Sequence, residues 1–152
     1  MARIDGEIVI NRPVEEVFDF AADERNEPRY NPRMLSSELL SPGPVGLGSR
    51  FRAVMGSWPR RTTMTTEFTG YQRPRRLALR SHLSAMEIHG SLTFDPVPGG
   101  TRMRWSWEVA PRGLLKLVSP LVVRVGARQE RAIWTGLKRL LEAKEAPTSA
   151  GG

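Results

Sequence analysis

Hydrophobic and polar residues alternate one by one through most of this chain, then switch to a helical spacing in its last third. Alternation gives a strand one apolar and one polar face, whereas apolar residues three and four apart give a helix one buried stripe. The first run, Ile4 to Asn11, predicts a strand. Asn11 then reads as the N-cap of a helix. Pro13 lies near its first turn, Glu15 and Glu16 sit at the positive end of the dipole, and Val14, Val17, Phe18 and Ala21 form the buried stripe. Asp23-Glu24-Arg25-Asn26-Glu27-Pro28 reads as a break in that helix, and Tyr30-Asn31-Pro32 leads into a sheet. The proline- and glycine-rich stretch Pro42 to Gly48 is a turn.

Four strand patterns follow. Phe51, Ala53 and Met55 alternate with Arg50, Arg52 and Val54, and Met64, Thr66 and Phe68 with Thr65, Glu67 and Thr69. Leu77, Leu79 and Ser81 oppose Ala78, Arg80 and His82, while Ile88, Gly90, Leu92 and Phe94 oppose His89, Ser91, Thr93 and Asp95. After a hairpin turn at Pro96 to Gly100 comes the most regular strand. It places Met103, Trp105, Trp107 and Val109 on one face and Arg102, Arg104, Ser106 and Glu108 on the other. One covered and one wet face, joined by hairpins, predict a single meandering antiparallel sheet. The chain closes with a helix expected from about Gly113 to Glu145. Its stripe is Leu114, Leu117, Val118, Leu121, Val122, Val125, Ala132, Ile133, Leu137, Leu140 and Leu141. Pro120 lies inside that pattern, where it is expected to kink or split the helix. The whole is an α+β domain over residues 1–145, with Ala146 to Gly152 expected as a disordered tail. A sheet crossed by a long helix leaves an apolar space between the two.

Composition narrows the chemistry. A length of 152 residues suits one domain with one core. Without cysteine there is no disulfide, thiolate nucleophile or Cys-ligated metal. No apolar run reaches the roughly 20 residues of a membrane span. Met1 to Glu7 lacks the apolar segment of a signal peptide, so a cytoplasmic location is expected. The net charge is +7, and the isoelectric point is near 10.9. Such a field attracts anions in general, and transient contact with an anionic membrane is one reading of it. The basic residues are almost all arginine, as codon bias in a GC-rich genome would give, and no Lys/Arg block points to nucleic acid.

Catalytic motifs are missing. His82 and His89 share parity with the wet face, and two histidines without close carboxylates make a poor metal site, so none is expected. No serine occupies a Gly-x-Ser-x-Gly elbow, and neither glycine-rich nucleotide loop is present, so no nucleotide cofactor is expected.

Six segments together resemble a known family. They are Ile10 to Phe18, Asp23 to Pro32, Gly46 to Phe51, Pro74 to Leu77, Gly99 to Met103 and Leu137 to Glu142. The chain resembles the START-like, helix-grip superfamily, and within it the bacterial polyketide cyclase/dehydrase and lipid-transport group, over roughly Ile4 to Ala143. The resemblance implies the helix-grip fold: one curved antiparallel sheet of six to seven strands wrapped around a long C-terminal helix, with short helices after the first strand. It implies a hydrophobic ligand in the sheet–helix space. It does not say whether a bond is made, since the superfamily holds carriers, hormone-binding proteins and cyclases alike.

The lining expected for such a ligand is Phe51, Met55, Met64, Phe68, Leu79, Ser81, Ile88, Leu92, Met103, Trp105 and Trp107 from the sheet, with Leu121, Val125 and Gln129 from the helix. Methionine adapts its shape and tryptophan offers a broad flat surface, which suits a lipid, an isoprenoid or quinone, or a polyketide-like molecule. Plain core packing is the competing explanation. The resemblance to cyclases suggests Arg50, Tyr30, Ser81, Glu87 and Glu130 as polar groups that would move protons, and a buried Glu130 calls for a partner such as an arginine. A binding protein therefore comes first, a cyclase or dehydrase second, and a basic partner of the ribosome or of RNA third. The enzyme reading requires titratable groups gathered inside, and the third requires the arginines to converge on one face. Oligomeric state is not legible.

Overall fold

The computed structural model describes residues 2–57, 60–84, 86–113, 117 and 119–143. Strand β1 (Ala2–Ile10) is followed by helix α1 (Val14–Ala22) and a short 3-10 helix (Glu24–Arg29). Then come β2 (Met34–Leu39), β3 (Arg50–Ser57), β4 (Arg60–Gln72), β5 (Arg76–His82), β6 (Met86–Val97), β7 (Gly100–Pro111) and the long helix α2 (Ser119–Ala143). The strands form one seven-stranded sheet in the order β1-β7-β6-β5-β4-β3-β2, antiparallel throughout. This is the helix-grip arrangement, with consecutive hairpins except where β1 returns to pair with β7.

Register places the alternating residues as their pattern predicts. Leu77 faces Leu92, Leu79 faces Gly90, and Leu92 in turn faces Trp105, so the apolar halves of the strands share one surface. At one end this inner surface is sealed. Phe18 of α1 meets Phe94 edge-on at 5.1 Å and Tyr71 at 5.3 Å, and Ile10, Val17, Leu137 and Leu141 close over them, all fully buried. Burying such side chains contributes roughly 1.5–3 kcal/mol each. The β6–β7 turn is Pro98-Gly99, with Gly99 at φ +81°, a conformation glycine adopts without Cβ strain.

Helix α2 runs alongside β1. Gly126 abuts Ile4, since a Cβ there would meet that side chain. Further along, the Lys138 ammonium donates to the Val9 carbonyl at 2.8 Å, and the Asn11 backbone N–H donates to Glu142 Oε2 at 2.9 Å.

Two helix starts differ from the sequence expectation. Pro13, not Asn11, is the cap residue of α1, and Asn11 instead ties the end of β1 to α2. Helix α2 begins at Ser119, so Pro120 stands in its first turn. There the missing N–H of proline leaves no bond unmade, and no kink is needed. Leu114 and Val118 of the expected stripe, and the tail 144–152, lie outside the described residues. Among the described residues no helix is long and apolar enough to cross a membrane.

Candidate functional site

The segment read as a helix break carries the main feature of the interior. Asp23 caps the 3-10 helix by accepting from the Arg25 backbone N–H at 3.1 Å. A 3-10 helix repeats every three residues, so Glu24, Glu27 and then Tyr30 fall on one side and turn inward beneath α2. Gly136 of α2 lets the chain approach closely here, because a Cβ would collide with the Tyr30 carbonyl. From α2, Glu130 enters the same region. Its Oε2 accepts from the indole N–H of Trp107 at 3.0 Å and of Trp134 at 2.7 Å. The arginine partner expected for Glu130 is therefore replaced by two neutral indole donors. Tyr30 packs on Trp134 with ring centres 6.0 Å apart, and Trp134 lies 6.2 Å from Trp105.

Three carboxyl groups and a phenol thus share an aromatic enclosure. Glu24 is 6% exposed, and its Oε2 is buried without a hydrogen-bond partner. Desolvation, reinforced by the charges of Glu27 and Asp23, pushes its carboxyl well above the usual range. Glu27 accepts from Asn31 Nδ2 at 2.9 Å. Desolvation dominates over that bond, and with the nearby Glu130 charge it lifts the Glu27 carboxyl to about 7. Burial also raises Glu130, with both indole bonds opposing it, and raises the Tyr30 phenol, where the neighbouring carboxylates add to the effect. A carboxyl poised near neutrality can both give and accept a proton. Among the described residues no group of three or more His, Cys, Asp or Glu could hold a metal ion.

The sequence-predicted lining divides in two. Phe51, Phe68, Leu79, Leu92, Met103, Trp105 and Trp107 are buried in the core, where large side chains fill the middle of the sheet–helix space. Met55, Met64 and Ile88 are half-exposed on the inner face at the other end, where Leu83 and Met86 share that state. Ser81 is buried there, its hydroxyl 2.7 Å from that of Thr66. Gln129 is half-buried. Leu121 and Val125 do not line the interior: they are 58% and 45% exposed. At 3.6 residues per turn they lie roughly 180° and 140° around the helix from Glu130, and Val122, Val123 and Gly126 face the sheet instead.

The remaining polar candidates separate as well. Tyr30 and Glu130 are inside, and Ser81 is inside but paired with Thr66. Arg50 is exposed, and Glu87 lies outside beside Arg112, whose guanidinium donates to it at 3.2 Å. The histidines face outward as expected: His82 Nδ1 stands 3.7 Å from Glu87, and His89 Nε2 3.3 Å from Glu108. Glu24, Glu27, Asn31 and Trp134 were missed. Their signal was the three-residue spacing of Glu24, Glu27 and Tyr30, hidden in a stretch polar enough to read as a turn.

Two hollows, of about 750 and about 320 Å³, lie mainly on the outer face of the sheet. The larger sits at the β1 edge between Asp5, Glu7, Arg104 and Arg131. It reaches the Trp105 indole past Gly6, which has no side chain to cover it.

Comparison with known proteins agrees with this architecture. TTHA0849 from Thermus thermophilus is 20% identical, with a TM-score of 0.79 over 93% of this chain and 99% of that one. A START superfamily protein from Mycobacterium smegmatis is 13% identical, with a TM-score of 0.78 over 93% and 97%. DR_A0006 from Deinococcus radiodurans is 20% identical, with a TM-score of 0.67 over 95% and 99%. At these identities the likeness is one of fold. No curated protein matches the sequence significantly. The sequence profile described as polyketide cyclase / dehydrase and lipid transport matches residues 1–142, and the chain belongs to that family.

Proposed function

We propose that the protein binds an apolar small molecule, of the lipid, isoprenoid, quinone or polyketide type, at the open end of the sheet–helix space. The observation that carries this reading is the contrast between the two ends of one inner face. The sealed end is covered by α1 and the C-terminal half of α2, whereas Met55, Met64, Leu83, Met86 and Ile88 keep exposed apolar surface around the buried Thr66–Ser81 pair. Three of these five are methionines, whose side chains repack around an incoming molecule at little cost. Covering them returns roughly 25 cal/mol per Å². A polar end of the ligand would extend toward Glu27, Tyr30 and Glu130.

The test uses the neutral probe N-phenyl-1-naphthylamine with the full chain, together with organic extraction of freshly purified protein. Enhanced probe emission that Ile88→Arg abolishes, or a co-extracted apolar compound, is the expected result. No enhancement and no extractable compound would refute the reading.

The gathered acids favour a second reading, a cyclase or dehydrase. In it Glu27 would exchange a proton with a carbonyl substrate held under α2, and the Tyr30 phenol would donate to the carbonyl oxygen. Catalysed deuterium exchange beside the carbonyl of benzylacetone, lost in Glu27→Gln, would support it. Exchange at the buffer rate would count against it.

A further inference from the structure

Helix α2 has a second face that neither the core nor the acid cluster uses. Leu121 and Val125 stand in solvent on it, and Leu117, just ahead of the helix, is 80% exposed. Arg124, Arg128 and Arg131 are exposed along the same side. Some arginines elsewhere are drawn into ion pairs, as in Arg73 with Asp19, Arg52 with Glu38 and Arg12 with Glu16. Among the described residues none of the three on α2 forms an ion pair, though Arg131 borders the β1-edge hollow that Asp5 and Glu7 also line. The sequence explains why: from Arg112 to Arg139 the one acidic residue is Glu130, and its carboxylate points inward to Trp107 and Trp134. Large apolar side chains left in water cost hydration free energy, and unpaired guanidinium groups beside them repel one another. A surface that offers hydrocarbon under a layer of negative charge relieves both.

We propose that this face of α2 docks on an anionic lipid bilayer, with Leu121 and Val125 entering the interface and Arg124 and Arg128 meeting lipid phosphates. From Ser119 to Arg139 the pattern is that of an interfacial helix: an apolar strip set beside basic residues, with the one acid, Glu130, turned inward. Position supports the choice of a membrane. The start of α2 lies toward the open end of the inner face: Gly126 abuts Ile4 near the beginning of β1, which starts opposite Val109, and Val109 in turn pairs with Ile88. Docking there sets the methionine-lined opening beside the bilayer. Docking does not require a bound ligand.

The chain has no cysteine, so Leu121→Cys carries a single environment-sensitive nitrobenzoxadiazole dye on otherwise native protein. The dye is expected to brighten and shift to the blue with phosphatidylcholine vesicles containing about 30 mol % phosphatidylglycerol, but not with phosphatidylcholine alone, and to revert in about 0.5 M NaCl. The same dye at Asp95→Cys, exposed at the sealed end, stays unchanged. Arg124→Glu with Arg128→Glu weakens partitioning more than about tenfold, while an unaltered melting temperature shows that the fold is intact. An unresponsive dye at position 121, equal responses at both positions, or retention by the double variant would overturn the proposal. So would binding of single-stranded RNA in place of vesicles, which would assign the surface to nucleic acid.

Discussion

Replacing Glu27 with glutamine removes one charge from the buried acid group while keeping its shape. The folded carboxyl titrates at about 7 against an ordinary 4.5, chiefly because it is desolvated. A group whose pKa rises on folding contributes stability that is fully present below its unfolded value and is lost as pH rises through its folded value. At about 1.4 kcal/mol per pH unit, Glu27 alone removes at most about 3.5 kcal/mol between pH ~4.5 and ~7. Part of that is returned where the residue retains contact with water. Glutamine stays neutral throughout, and its amide oxygen can still accept from Asn31 Nδ2. Removing the Glu27 charge also eases Glu24, whose carboxyl that charge pushes up. Urea unfolding followed by tryptophan fluorescence at intervals from pH about 4.5 to 8.5 measures the effect. The native chain should lose stability steadily across this window. Glu27→Gln should lose about 2–3 kcal/mol less and be the more stable protein at pH ~8, with little advantage at pH ~4.5. Parallel stability curves for the two proteins would show that Glu27 titrates as an ordinary surface carboxylate, and the account of the acid cluster would fall.

Three further outcomes follow from particular contacts. Trp134→Phe deletes one of the two donors to Glu130 and should cost about 1.5–3 kcal/mol by thermal or urea unfolding, more at high pH where Glu130 is charged. Ser81→Ala leaves the Thr66 hydroxyl buried and unpaired, costing about 1–3 kcal/mol, whereas the double variant with Thr66→Val should recover much of the loss, which a double-mutant cycle reads directly. Gly6→Ala places a Cβ against the Trp105 indole at the β1 edge. It should destabilise the fold by about 1–3 kcal/mol and shift the tryptophan emission, whereas alanine at Gly46, with open space around it, should do neither.

What lay open to reading was whatever repeats along the chain. Period-two alternation in Met103 to Val109 fixed which side of β7 is covered, because a strand's side chains have no third direction to point. The same logic assigned His82 and His89 to the outer face and placed Phe51, Phe68 and Leu92 on the inner one. The stripe Ile133, Leu137 and Leu141 announced the helix that closes the sheet. Phase over α2's first turns was read less well. Leu121 and Val125 are apolar, yet the helix axis follows β1 and turns them away, and only the docked orientation decides that.

The acid cluster depended on tertiary structure almost entirely. Glu24 and Glu27 sit in a segment whose composition resembles any solvated turn, and nothing local distinguishes an inward carboxylate from an outward one. Burial was imposed from a distance: Gly136 admits the Tyr30 backbone against α2, and Trp107 and Trp134 offer Glu130 two N–H groups from different elements. The sequence by itself determined the sheet, the helix and the division between dry and wet faces, because each rests on periodic burial within one element. Only the folded chain decided which polar groups became chemical, because a carboxyl's pKa is set by the water it loses and by neighbours contributed from distant parts of the chain.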